Sequence, residues 1–175
     1  MFGRTRRQRG YATSANGTSA NSPIAAANGA TMHKLNCAKH FDPALFMGES
    51  WSAAEVDERA DHFPEIDVNA IALVNCLKKE DELPIGEHCV KLLKEAPYVR
   101  LGGRAFLALW ENQTAIPENW KKPLTFVFFD GLILRHRNGN RYSLYLSWHD
   151  HRWHWYSAWL GNTRSANSAS AVLAA

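Results

Sequence analysis

The chain has 175 residues, 46% of them hydrophobic, and a formal net charge of +3. That length accommodates one domain with a proper core plus tails, and no apolar run approaches the roughly 18 residues that a membrane-spanning helix needs. The charge is unevenly spread: residues 1–34 carry +5, residues 35–119 carry −7 and residues 120–175 carry +5.

Residues 1–31 begin with Arg4, Arg6, Arg7 and Arg9 and continue as a Ser/Ala/Asn/Gly/Thr-rich stretch. With so few large apolar groups to offset ordering entropy, this segment reads as a disordered basic tail. Met32 offers an alternative start. No continuous apolar segment follows the arginines, which argues against a secretory signal.

Residues 41–165 read as a single α+β domain, helical over 41–112. Asp42-Pro43 is a helix-start pair and Gly48 ends that short helix. Ser52 and Glu55 fit a capping box, with Trp51 and Val56 as its hydrophobic staple, so a helix is predicted before Pro64. Residues 66–79 mix two periods, and helical spacing at Ile71, Val74 and Leu77 favours a helix over 69–79. Ile85, Cys89, Leu92 and Leu93 outline another helix, ended by Pro97. Phe106, Leu109 and Trp110 mark a last one, preceded by a plain turn at Gly102-Gly103.

From Leu124 the apolar period changes to two, predicting a β-meander over 124–160. Asp130-Gly131 and Asn138-Gly139 are hairpin signals, and the His149-Asp150-His151 segment makes the third turn. The fold class expected is therefore α+β, with N-terminal helices packed on a C-terminal four-stranded antiparallel meander. Residues 166–175 read as a loose C-terminal tail.

Two-residue turns fix the register of such a meander, because paired residues share a face. Trp148 then opposes Trp153, Leu146 opposes Trp155 and Tyr142 opposes Trp159. All four tryptophans of the run Arg141–Leu160 fall on one face, which aromatic burial places against the helices. The other face carries Tyr145, Tyr156 and His154, with Arg137, Arg141 and Arg152 near the turns. Exposed aromatics beside arginines are what single-stranded nucleic acid uses for stacking and phosphate contact. An acidic protein partner uses the same groups.

Histidine supplies a weaker alternative. His149 and His154 sit diagonally, roughly 7–8 Å apart at the backbone, so a metal ion between them is conceivable and with it a metal-assisted hydrolase. His151 falls at the turn tip and does not converge. No HExxH, GxSxG or phosphate-loop signature occurs, and nothing points to a catalytic residue or a cofactor. The cysteines (Cys37, Cys76, Cys89) are sparse and odd in number, without CxxC spacing. They suit a cytoplasmic, reducing setting rather than a disulfide framework. Cys76 and Cys89 lie in apolar stretches, where cysteine behaves as a small hydrophobe.

The motifs WENQ (Trp110–Gln113), IPENWK (Ile116–Lys121), FFDG (Phe128–Gly131), RYSLYLSW (Arg141–Trp148) and SAVLA (Ser170–Ala174) together resemble a family of small uncharacterised bacterial proteins. The likeness runs from about Phe41 to the C-terminus. It implies no activity, cofactor or catalytic residue. The reading that results is a binding module working through the tyrosine face rather than an enzyme, with the hydrolase around His149 and His154 kept as the alternative.

Overall fold

The structure is a computed structural model in which residues 34–76, 83–122 and 125–175 are described. The expected basic tail lies outside these residues, as does part of the helix predicted over 69–79. In chain order the elements are β1 (Lys34–Asn36), α1 (Pro43–Met47), β2 (Trp51–Val56), α2 (Glu58–Asp61), β3 (Glu65–Asp67), β4 (Ala72–Val74), α3 (Gly86–Glu95), β5 (Tyr98–Arg100), α4 (Gly103–Glu111), β6 (Phe126–His136), β7 (Arg141–His149), β8 (Arg152–Trp159) and β9 (Ser168–Ala174). Short 3-10 turns join some of them. No helix among the described residues is long and apolar enough to cross a membrane.

The expected architecture of helices on a four-stranded meander is overturned. Strands dominate, and seven of them among the described residues form one mixed sheet in the order β4-β9-β6-β7-β8, with β2 also pairing β6 and β5 pairing β9. β1 and β3 form a separate pair. Strands are therefore threaded through the segment read as helical. The Ser52–Glu55 capping box lies inside β2, which pairs antiparallel with β6 from Trp51↔His136 to Val56↔Leu132. A tertiary ladder here overrides a local start signal, as β-structure commonly does. Residues 65–74 form β3, a 3-10 turn and β4 instead of a helix.

The largest correction concerns Asp130-Gly131. β6 runs unbroken through it, with the register against β7 shifting between Phe128 and Ile133. Gly131 is needed for close approach, not for a turn. A Cβ there would stand 2.1 Å from the Arg100 carbonyl oxygen. The Gly131 N–H donates to Leu101 O at 2.8 Å, and the Asp57 N–H donates to Gly131 O at 2.7 Å. Only a bare backbone lets three chain segments meet so closely. The expected four-stranded meander thus becomes the three strands β6-β7-β8, and the expected loose tail becomes β9. That strand lies inside the sheet, parallel to β6 and antiparallel to β4 and β5, with Ala171 and Val172 fully buried.

Other elements follow their local chemistry. Asp42 caps α1, its carboxylate accepting from the Ala44 and Leu45 N–H groups, and Gly48 at φ 104° ends it. α3 buries Cys89, Val90 and Leu93 and stops before Pro97. α4 buries Phe106 and Leu109.

Helices cover both faces of the sheet. On one, Phe106 of α4 meets Phe129 and Trp155 edge-on, and Phe41 and Phe46 close round it. On the other, Val90 of α3 packs with Ile133 and Leu160. Burying aromatic and aliphatic groups of this size contributes about 1.5–3 kcal/mol each.

Candidate binding face

The β7–β8 hairpin has the register that its turn dictates, with Trp148↔Trp153, Leu146↔Trp155, Tyr145↔Tyr156, Leu144↔Ser157 and Tyr142↔Trp159. Asp150 and His151 form the two-residue loop at φ 51° and 61°. Tight hairpins need positive φ at both central positions, and Asp and His tolerate it better than most residues.

The tryptophans separate by degree. Trp153 is buried, Trp155 packs on Phe46 at 4.9 Å, and Trp148 meets Trp153 at 5.4 Å with Lys121 Nζ over its ring. Trp159, at 44% exposed, is the exception.

Across the sheet the opposite side chains form a continuous set of rings. Tyr145 stacks on Tyr156 at 5.4 Å and tilts onto Phe128 at 4.9 Å. His149 and His154 lie face to face at 3.8 Å with planes 5° apart, each about 6 Å from the Tyr156 ring. Hydrogen bonds hold the rings in place. His149 Nδ1 is 3.2 Å from an Asp150 carboxylate oxygen, and His149 Nε2 is 3.0 Å from the Tyr156 hydroxyl. The carboxylate can only accept, so His149 donates from Nδ1 and the Tyr156 hydroxyl donates to Nε2. Arg152 Nε donates to His154 Nε2 at 3.1 Å. Tyr156 and Arg152 are exposed, while Tyr145, His149 and His154 are half-buried. A cleft of about 220 Å³ adjoins Tyr145, walled by Phe126, Phe128, Trp159 and the segment 162–165.

The structure therefore brings together Tyr145, Tyr156, His154 and Arg152 among the expected residues, and adds His149. It does not bring Arg137 or Arg141. These sit at the other end of β7, about 26 Å away by strand rise. Arg137 is exposed in the β6–β7 turn. Arg141 is engaged, donating to Glu87 at 2.7 Å and to Glu55 at 3.2 Å.

His149, Asp150 and His154 present donor atoms that all lie within 4.8 Å of one another. Imidazole binds metal in its ring plane. In two parallel stacked rings those lone-pair directions run side by side and do not converge. Tyr156 and Arg152 already occupy the Nε2 acceptors. A metal would have to rotate both rings and break these bonds.

Titration follows the same contacts. The hydrogen bond from His149 and that ring's charge hold Asp150 below the usual carboxylate range. Partial burial, then the charges of His149 and Arg152, push His154 down. Burial, with Tyr156 beside it, pushes the Tyr145 hydroxyl up.

Sequence reasoning missed a second polar feature on this side of the sheet. Asp130 is fully buried and accepts from both terminal guanidinium nitrogens of Arg164, at 2.6 and 2.8 Å, with further hydrogen bonds from the hydroxyls of Ser143 and Ser170. Burial raises its pKa, but the Arg164 charge and these hydrogen bonds outweigh that and hold it low. The Arg164 guanidinium also lies 3.9 Å over the Phe128 ring. Nearby, Arg100 is buried between Asp57 and Glu55 and donates to Asp130 O. The signal was a lone acid inside the apolar run FVFFDGLIL; Asp-Gly disguised it as a turn.

Neither the family models, nor the curated proteins, nor the solved structures yielded a match to this chain.

Proposed function

We propose that the chain is a binding module that stacks single-stranded nucleic acid on the Tyr145–Tyr156–His154–His149 rings, with Arg152 contacting phosphate. The observation that carries this reading is a set of near-parallel rings on a sheet face, ending at an exposed arginine. Every base has a π-face, and stacking on an aromatic contributes about 1–3 kcal/mol per base. The hydrogen bonds to Tyr156 and His154 fix the rings before a ligand arrives, which lowers the ordering cost of binding. A cytoplasmic setting fits the sparse, unpaired cysteines, and kinship with the small bacterial proteins that the motifs resemble is part of the same proposal.

One observation favours a second reading, a metal-assisted hydrolase: the clustered donor atoms of His149, Asp150 and His154. The stacked ring geometry and the occupied nitrogens support it less well.

Titrating the intrinsic fluorescence with a single-stranded oligonucleotide at about 50 and about 200 mM salt tests the main reading. Affinity is expected to fall steeply with salt. Tyr156→Ala is expected to weaken binding by about 1–3 kcal/mol, and Arg152→Ala to flatten the salt slope by about one. No binding at low salt removes the nucleic-acid reading. Binding of an acidic polypeptide in its place would assign the face to a protein partner.

A further inference from the structure

A pair of thiols lies beside the Asp130–Arg164 centre, Cys89 buried and Cys76 half-buried. Cys76 follows β4 and Cys89 lies in the first half of α3. Both line one small cavity with Arg164 and Ser170, and Cys76 Sγ is 3.9 Å from the Cys89 carbonyl oxygen. The two thiols are near enough that each shifts the other's titration. Both thiols are free. We propose that Cys76 and Cys89 form a reversible dithiol–disulfide site that joins α3 to the end of β4 on oxidation.

The surroundings favour this over inert packing. A thiol beside a thiolate donates to it, which stabilises the singly deprotonated pair. That interaction is the largest cause pushing Cys76 up and Cys89 down; of the nearby charges, Arg164 favours a thiolate and Asp130 opposes it. Thiolate character next to a resolving thiol is what makes cysteines oxidisable. The cavity, about 10 Å³, has room for one water-sized molecule and no more. The cavity therefore has no room for a bulky substrate.

With hydrogen peroxide as the oxidant, the thiolate sulfur attacks one peroxide oxygen and the O–O bond breaks. A sulfenic acid forms, and hydroxide leaves and takes up a proton as water. The second sulfur then attacks the sulfenic sulfur. The S–O bond breaks, the S–S bond forms and a second water leaves with the remaining proton. Two electrons pass from the two sulfurs to one peroxide.

Cys37 is the internal control. It is buried elsewhere, its thiol donates to Leu35 O at 3.7 Å, and burial pushes it up to about 11. The test treats the reduced full chain with peroxide, alkylates the remaining thiols and maps tryptic peptides by mass spectrometry. Cleavage after Lys78 and Lys79 places Cys76 and Cys89 on separate peptides, so a link between them is visible. The expected result is a Cys76–Cys89 disulfide that dithiothreitol reverses, with Cys37 alkylated. Cys37→Ser should leave the link unchanged, whereas Cys76→Ser or Cys89→Ser should abolish it. The proposal is overturned if Cys76 and Cys89 stay alkylatable at a peroxide dose that oxidises free cysteine. It is equally overturned if the disulfide formed joins two chains or involves Cys37.

Discussion

Ser143 and Tyr145 point to the same side of β7, two residues apart, yet they belong to opposite environments. The Ser143 hydroxyl donates to Asp130, in a dry centre closed by Arg164 and Ser170. Tyr145 opens the half-exposed array that runs through Tyr156 to His149 and His154. Charge is concentrated in a buried pair, and the exposed part is mostly uncharged rings. A buried ion pair satisfied on every side has no capacity left for a ligand, and its role is to specify how β6, β7 and β9 meet. Perturbed titration alone would have singled out Asp130 as the site; accessibility points to the tyrosines.

Breaking the dry centre is expected to have the largest effect. Arg164→Met leaves the Asp130 carboxylate buried without its main partner and should cost about 3–5 kcal/mol in denaturant unfolding. Asp130→Leu combined with Arg164→Met should recover much of that, since the charge goes with its partner. Tyr156→Ala, by contrast, should stay near about 0.5 kcal/mol of the parent, as exposed positions do. A cost below about 1 kcal/mol for Arg164→Met would place the centre outside the scaffold, and the contrast between the two regions would fail.

Acid sharpens the same contrast. Burial raises the Asp57 pKa, but hydrogen bonds from Arg59 and the Arg100 backbone, with both guanidinium charges, bring it from 3.8 down to about 2. A carboxylate depressed in the folded state adds stability that is fully present above its unfolded value and is lost as pH falls through the folded one. The amount is roughly 2 kcal/mol, and Asp130 acts in the same direction. Unfolding midpoints measured from pH 5 down to 2 should therefore fall steeply. The gap between the parent and Asp57→Asn should close over that window, and a gap that stays constant would mean Asp57 gains nothing from its arginines.

The two regions also differ in how far the sequence disclosed them. The β7–β8 register and the separation of Trp153 from Tyr156 were legible, because a two-residue turn fixes the pairing and strand alternation does the rest. Asn138-Gly139 was legible for the same reason, with Gly139 at φ 86°. The dry centre was not. Asp130 meets Arg164, which is 34 residues away in sequence, and β9 joins β6 in parallel, a pairing that leaves no local mark. Ser52 and Glu55 misled because a capping box is a local signal, whereas β2 exists only through its ladder with β6. Arg141 looked available for phosphate until Glu55 and Glu87, from distant segments, proved to hold it.

The smallest expected effect tests whether His154 is held neutral. Partial burial and the nearby charges of His149 and Arg152 lower the pKa of His154 below its usual 6.5, against a smaller pull upward from Asp150. A histidine depressed in this way binds its proton later than in the unfolded chain as pH falls. Stability therefore rises with pH between the folded value and 6.5. A lowered His154 keeps its own charge off the stacked face down to a lower pH, which leaves the face ready for a base. Ring-proton NMR should place the His154 midpoint below 6.5 and see it move back up in His149→Gln, where the like charge is gone. A midpoint at or above 6.5 would mean that Asp150 dominates. The strip would then act as a patch of positive charge, and its ligand contacts would be ionic first and stacking second.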